Sequence, residues 1–188
     1  DNFSIFWDNA YACHDIDETI EQTPADQIAK RLGLEDNLFQ VGSTSKITLA
    51  GSGISFISSS TENLSKFIDF RNAITPGPNK MNQGMHVKYF ESVSIEQQMN
   101  ELKKIIKPKF ELVDDILKPL KDAGLCSYEK PTGGYFYSID SAKSNADEIV
   151  QNCSDLGLKL LPMGSCFPYG KDPDKKNIRL APTFPDLA

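Results

Sequence analysis

The sequence predicts an α/β chain that passes into a smaller α+β part, and two observations carry that prediction. Short apolar runs bounded by turn residues recur at Phe3–Trp7, Leu38–Val41 and Gly53–Ser58, and helical patterns occupy Pro24–Leu32 and Thr61–Ala73. Beyond the turn-rich stretch Thr75-Pro-Gly-Pro-Asn79, a long amphipathic helix replaces this alternation. Helices that alternate with strands bury their apolar stripe on the faces of a sheet, so the first part reads as α/β layering. A boundary is expected near Val87–Ser94, dividing the chain into residues 1–90 and 91–188.

Each element has a local cause. Phe3-Ser-Ile-Phe-Trp7 is apolar enough for a buried strand and runs into Asp8. Thr23 and Pro24 suit a helix start, with Thr23 as cap and Pro24 in the first turn, where its missing N–H costs nothing. Gly33 suits the stop, since glycine enters the left-handed conformation without a steric penalty. Ser94 opens the long helix, which should run to Ala123, and Gln97 completes a capping box with it. Pro108 and Pro119 each remove a backbone donor and are expected to kink or interrupt that helix. Leu125–Tyr128 and Gly134–Ile139 then read as a strand pair around Lys130-Pro-Thr-Gly-Gly134. A helix over Asn145–Leu156, stopped by Gly157, precedes strands near Leu158–Leu161 and Asn177–Ala181.

Composition narrows the function. Acidic side chains outnumber basic ones, for a net charge of −6, which disfavours nucleic acid as a partner. No apolar run approaches the ~20 residues that span a bilayer, so a cytoplasmic enzyme with no membrane partner is expected. Cys13, Cys126, Cys153 and Cys166 form no Cys-x-x-Cys pair, and only His14 and His86 are present, so no metal site is expected. The cysteines read as ordinary buried thiols of a reducing compartment.

Three places carry chemistry. Lys46 ends Leu38-Phe-Gln-Val-Gly-Ser-Thr-Ser-Lys46, after a short apolar strand and among three hydroxyls. A lysine amine becomes a nucleophile near neutral pH when partial burial or a nearby cation disfavours its charged form. Ser43, Thr44 and Ser45 would add donors for an anion beside it; the alternative is a solvated surface lysine. Asp8 ends the first strand and Tyr11 follows it, and a carboxylate at the carboxyl end of a strand points into the crevice where α/β sheets bind ligands. There it could hold a pyridinium nitrogen protonated; alternatively it caps the following turn. Arg179 lies within the apolar run of Asn177-Ile-Arg-Leu-Ala181 and is suited either to a substrate carboxylate or to a structural salt bridge.

Together Asp8-Asn-Ala-Tyr11, Ser43-Thr-Ser-Lys46, Pro131-Thr-Gly-Gly-Tyr-Phe136 and Asn177-Ile-Arg-Leu-Ala-Pro-Thr183 resemble, in order, the motifs of fold-type I pyridoxal-phosphate aminotransferases. The likeness is to a bacterial aspartate aminotransferase subgroup and covers nearly the whole chain. It implies the C-terminal part of a PLP-dependent transferase fold: the end of the large mixed-sheet domain, followed by the small α+β domain short of its last helix. It also implies roles. Lys46 would hold pyridoxal 5'-phosphate as a Schiff base, and Asp8 would pair with the ring nitrogen. Tyr11 would face the ring oxygen, Ser43 and Ser45 would meet the phosphate, and Arg179 would clamp the substrate carboxylate. The reaction implied moves an amino group from an acidic amino acid, aspartate by subgroup, to a 2-oxo acid in a cytoplasmic homodimer.

The segment Lys46-Ile-Thr-Leu-Ala-Gly-Ser-Gly-Ile-Ser-Phe56 lacks the arginine that many of the family place there for the phosphate. Arg31 and Arg71, both in expected surface helices, offer no obvious partner for a distal carboxylate. The likeness begins midway through the family, so the chain is expected to represent a C-terminal half that is inactive alone. The absent half would supply a phosphate-binding turn, a ring-stacking aromatic and an asparagine that assists Tyr11. Two other classes stay in view. Ser43-Thr-Ser-Lys46 satisfies the Ser-x-x-Lys pattern of serine hydrolases, although neither Ser-Asp-Asn nor Lys-Thr-Gly is present. A ligand-binding regulatory module on an aminotransferase-like fold is the third.

Overall fold

The computed structural model describes residues 3–17, 21, 23–162, 164 and 167–187. They form two compact units, one of Asp1–Cys13 with Ile20–Glu101 and one of His14–Thr19 with Leu102–Ala188.

In the first unit, β1 (Ile5–Asp8) pairs in parallel with β2 (Leu38–Ser43), which pairs antiparallel with β3 (Ser55–Ser58). Helix α1 (Ala25–Leu32) makes the crossover from β1 to β2, as a parallel pair requires. Gly33 ends α1 at φ 68° as expected, but Pro24 itself occupies the cap position, and no side chain caps that end. Thr23 therefore does not cap; its carbonyl accepts from Ala25 N at 2.8 Å instead. The expectation of a buried first strand also fails. All four β1 residues are exposed, Phe6 at 70% even though it stacks on Phe39, because among the described residues β1 pairs with β2 alone.

Helix α2 (Thr61–Ile74) starts at Ser60. Helix α3 (Lys80–Phe90), capped by Asn79, occupies a stretch where the sequence suggested only a boundary. Its polar residues and Gly84 mask any clear helical stripe. Helix α4 (Ile95–Asp122) begins with the expected capping box: Gln97 N donates to Ser94 Oγ at 3.1 Å, and Ser94 N donates to Gln97 Oε1 at 2.9 Å. Pro108 and Pro119 do not interrupt it.

The second unit is a four-stranded antiparallel sheet, in the order β4 (Cys126–Tyr128), β5 (Tyr137–Ser141), β7 (Asn177–Leu180), β6 (Leu161–Pro162), with α5 (Ala146–Asp155) capped by Asn145. Its core is Ile16, Ile106, Phe110, Tyr128, Tyr137 and Ile139, joining α4 to the sheet. Phe110 and Tyr137 stack with ring centroids 5.2 Å apart, and Tyr137 donates to the Phe110 carbonyl at 2.8 Å. The cysteines are not uniformly buried, since Cys13 is exposed and Cys126 and Cys153 are half-buried; Cys166 lies outside the described residues.

Candidate active site

Parallel pairing of β1 and β2 puts their carboxyl ends at one edge of the sheet. Asp8 stands opposite Val41, and Asn9 N donates to the Val41 carbonyl at 2.7 Å, so the turn after β1 leaves the sheet beside Gly42 and Ser43. Asp8 and the Ser43–Lys46 segment thus share one edge of one unit, where α/β sheets place ligand sites. Asp8 Oδ1 accepts from Ala10 N at 3.0 Å, so the turn-capping alternative is realised, and this cap engages one carboxylate oxygen. Asp8 is exposed, and Tyr11 in the following turn is half-buried.

The three hydroxyls of the motif divide. Ser43 and Ser45 face each other at 2.8 Å between their Oγ atoms, and Ser45 N donates to Ser43 Oγ at 3.1 Å. Thr44 is buried and its Oγ1 lies 3.0 Å from His86 Nε2 on α3. Lys46 sits in a turn that the Thr44 carbonyl closes by accepting from Ile47 N and Thr48 N, each at 2.9 Å. The partial burial that would disfavour a charged Lys46 is not found; Lys46 is exposed because it lies past the end of β2 rather than within a face of the sheet. No α-helix follows it, unlike the lysine of Ser-x-x-Lys hydrolases.

Arg179 belongs to the second unit. On β7 it is half-buried, opposite Ser138 on β5 and Leu161 on β6. Its guanidinium lies 4.5 Å from the centre of the Phe136 ring, and among the described residues no carboxylate forms an ion pair with it. A ring face attracts the cation without occupying its five N–H donors, which stay available to a carboxylate. In the same unit, Lys109 of α4 donates to the Thr183 carbonyl at 3.0 Å and fixes the end of the Asn177–Thr183 motif. Arg31 is exposed as expected, whereas Arg71 is half-buried with Nη2 donating to Asn72 Oδ1 at 2.9 Å. Sequence reasoning missed His86, Thr48 and the service of Phe136 to Arg179. A buried histidine on an unrecognised helix left no signal beyond its scarcity. Among the described residues no cluster of metal-ligating side chains occurs.

This constellation, a strand-end lysine beside paired hydroxyls and an aspartate on a mixed α/β framework, defines a class, and comparison with known proteins identifies it. The family model for aspartate amino-transferase matches residues 1–188. A protein of Mycolicibacterium smegmatis is 39% identical over 189 residues, covering 99% of this chain and 44% of the relative. A crystal structure from Corynebacterium diphtheriae aligns with TM-score 0.91 at 39% identity, covering 98% of this chain and 46% of that one. The aspartate transaminase structure from Corynebacterium glutamicum aligns with TM-score 0.89 at 36% identity, covering 97% and 44%.

The chain belongs to the aspartate aminotransferase family, and its fold is that of the C-terminal portion of PLP-dependent aminotransferase structures. It spans less than half the length of these relatives. Nothing in these likenesses supports the serine hydrolase or the regulatory module. Among the described residues no helix is long and apolar enough to cross a membrane.

Proposed function

We propose that this chain carries the covalent and substrate-orienting residues of an aminotransferase that moves an amino group from aspartate to a 2-oxo acid with pyridoxal 5'-phosphate. The observation that supports it most is the shared sheet edge of Asp8 and Ser43–Lys46, with the lysine exposed there. The donor set fits the cofactor: paired serine hydroxyls suit a phosphate, a carboxylate suits a protonated ring nitrogen, and an exposed lysine amine suits an aldehyde. When bound, pyridoxal phosphate supplies the electron sink for loss of the substrate's α-proton.

The residues of the chain supply the rest. Lys46 would hold the cofactor covalently through its amine, and the same amine would serve as base toward the substrate's α-proton. Asp8 would accept a hydrogen bond from the ring nitrogen and keep it protonated; the Ala10 cap engages only one of its carboxylate oxygens. Tyr11 donates to the ring oxygen, and Ser43 and Ser45 donate to the phosphate. Arg179 binds the α-carboxylate bidentately, its plane held by Phe136. In this reading residues 1–90 end the large cofactor-binding domain and residues 91–188 form the small one, within a cytoplasmic homodimer.

The test is made in the full-length protein. Borohydride reduction of the cofactor-loaded enzyme followed by peptide mapping should place the label on Lys46, and Lys46→Ala should remove the visible absorbance and about four or more orders of magnitude of activity. A label on another lysine overturns the assignment. Arg179→Lys should raise KM for the amino acid roughly 10- to 100-fold with little change in cofactor affinity; equal losses of both would count against the clamp. An amino-donor screen against 2-oxoglutarate should favour aspartate, and a higher kcat/KM for another donor would replace that substrate.

A further inference from the structure

We propose that His86 is a positioning residue for Lys46, holding the turn that carries the lysine through two threonine hydroxyls on either side of it. This inference rests on the reading of Lys46 as the cofactor-bearing lysine.

His86 is only 6% exposed, and both ring nitrogens are engaged. Nδ1 lies 2.9 Å from the Asn82 carbonyl oxygen, one helical turn back; a carbonyl only accepts, so Nδ1 carries a proton. Nε2 lies 3.0 Å from Thr44 Oγ1 and 2.9 Å from Thr48 Oγ1. The hydroxyl protons then have one economical arrangement. Thr44 Oγ1 already accepts from Ile54 N at 3.0 Å, so its own proton goes to Nε2. Thr48 Oγ1 donates to the Thr44 carbonyl at 3.1 Å and rests against the same nitrogen. With Nδ1 donating to the Asn82 carbonyl, Nε2 accepts from one of the two threonine hydroxyls, Thr44 in this arrangement, while Thr48 is held by the Thr44 carbonyl.

Thr44 and Thr48 bracket Ser45, Lys46 and Ile47, so the imidazole fixes the base of the lysine from beneath while leaving its side chain exposed. The same helix grips the far end of the loop, because Asn82 Nδ2 donates to the Gly53 carbonyl at 3.2 Å. Gly53 in turn lies so close to Ser45 that a β-carbon there would collide with the Ser45 backbone and hydroxyl. Helix α3 therefore clamps both ends of the Ser43–Ile54 loop. An apolar residue at position 86 would bury α3 equally well; a satisfied polar cluster adds direction, since hydrogen bonds fix angles that hydrophobic contact does not. A lysine that must alternate between covalent attachment and proton transfer needs that fixed base.

His86→Asn and His86→Gln in the cofactor-loaded full-length enzyme test this. Asparagine retains a donor near Nδ1 but is too short to meet the threonines, and glutamine places an amide near Nε2. His86→Asn is expected to lower kcat about tenfold or more, to leave KM for the amino acid within about twofold, and to move the pH midpoint of the lysine-bound cofactor's visible band by about half a unit. His86→Gln is expected to recover most of both. Thr48→Val, which removes one hydroxyl without opening a cavity, should move the band in the same direction by less, and it keeps the test open if His86→Asn does not fold. Unchanged kcat and unchanged band in the folded variants, with borohydride label still on Lys46, overturn the role of His86 alone. A label on another lysine of the unmutated enzyme overturns both the role of His86 and that of Lys46.

Discussion

In the second unit Phe110 and Tyr137 are wholly buried and stacked, in the first two of the best-buried side chains, Thr44 and His86, are polar, and its apolar strand β1 lies open. The same chain thus uses burial in two ways. Around Tyr137 it removes aromatic surface from water, where each large ring contributes strongly to stability. Around Thr44 it encloses a small hydrogen-bonded group beneath one loop, and the neighbouring sheet keeps Phe6, Trp7 and Phe56 exposed. The contiguous apolar core lies in the unit that carries Arg179, which also buries His14, Lys109 and Ser141, and in the first unit the buried polar pair Thr44 and His86 lies beneath the Lys46 turn.

This contrast is broken most directly by deletion in each unit. Phe110→Ala should cost about 3–5 kcal/mol in chemical denaturation, because the site is lined on all sides and cannot collapse. Leu38→Ala, at a 7% exposed residue of β2, should fall near the low end of its class, about 2 kcal/mol, since the thinly covered sheet can close on the gap. Equal losses would mean that the first unit is packed as well as the second.

A pH scan sharpens the same contrast. Burial, reinforced by the Asp114 carboxylate that accepts from its hydroxyl at 2.9 Å, pushes the Tyr128 phenol up to about 12 from an ordinary value of 10. The fold favours the neutral phenol, so this contribution is complete below pH 10 and is lost as pH rises from 10 to about 12. Trp7, the single tryptophan, reports on the first unit. Near-ultraviolet tyrosine dichroism should therefore decay before Trp7 fluorescence changes, and Tyr128→Phe should delay that decay. Simultaneous loss of both signals would assign the alkaline transition to the whole chain.

The elements legible in the sequence are those whose signals are local. Gly33 marks a terminus through its backbone conformation, Ser94 with Gln97 and Asn145 through side-chain oxygens that cap nearby N–H groups, and the alternation of apolar runs placed β2, β3 and β7 within a residue or two of their observed limits. What stayed hidden depends on partners distant in sequence. The exposure of β1 could not be read because it depends on what pairs beside Ile5–Asp8, and α3 could not because its His86 and Asn82 bond to a loop some thirty to forty residues earlier. Among the site residues, the motifs placed Asp8 and Lys46 on one edge through the parallel pairing of their strands, whereas the Phe136 ring beneath Arg179 follows from the packing around β5 and β7 and has no sequence period of its own.

The smallest predicted difference concerns helix caps. Asn145 Oδ1 accepts from Asp147 N at 2.9 Å in the second unit, and Ser60 Oγ accepts from Asn63 N at 3.4 Å in the first. A bond near 2.9 Å is optimal for N–H···O, and one at 3.4 Å has given up part of its attraction. Asn145→Ala should therefore cost about 1 kcal/mol, and Ser60→Ala about half of that. Ser60→Asn provides the control, since it keeps a capping acceptor; it should match the unmutated protein within a few tenths of a kcal/mol. If Ser60→Ala proves as costly as Asn145→Ala, the 3.4 Å bond tightens in solution, and the first unit is held more firmly at α2 than its exposed surface implies.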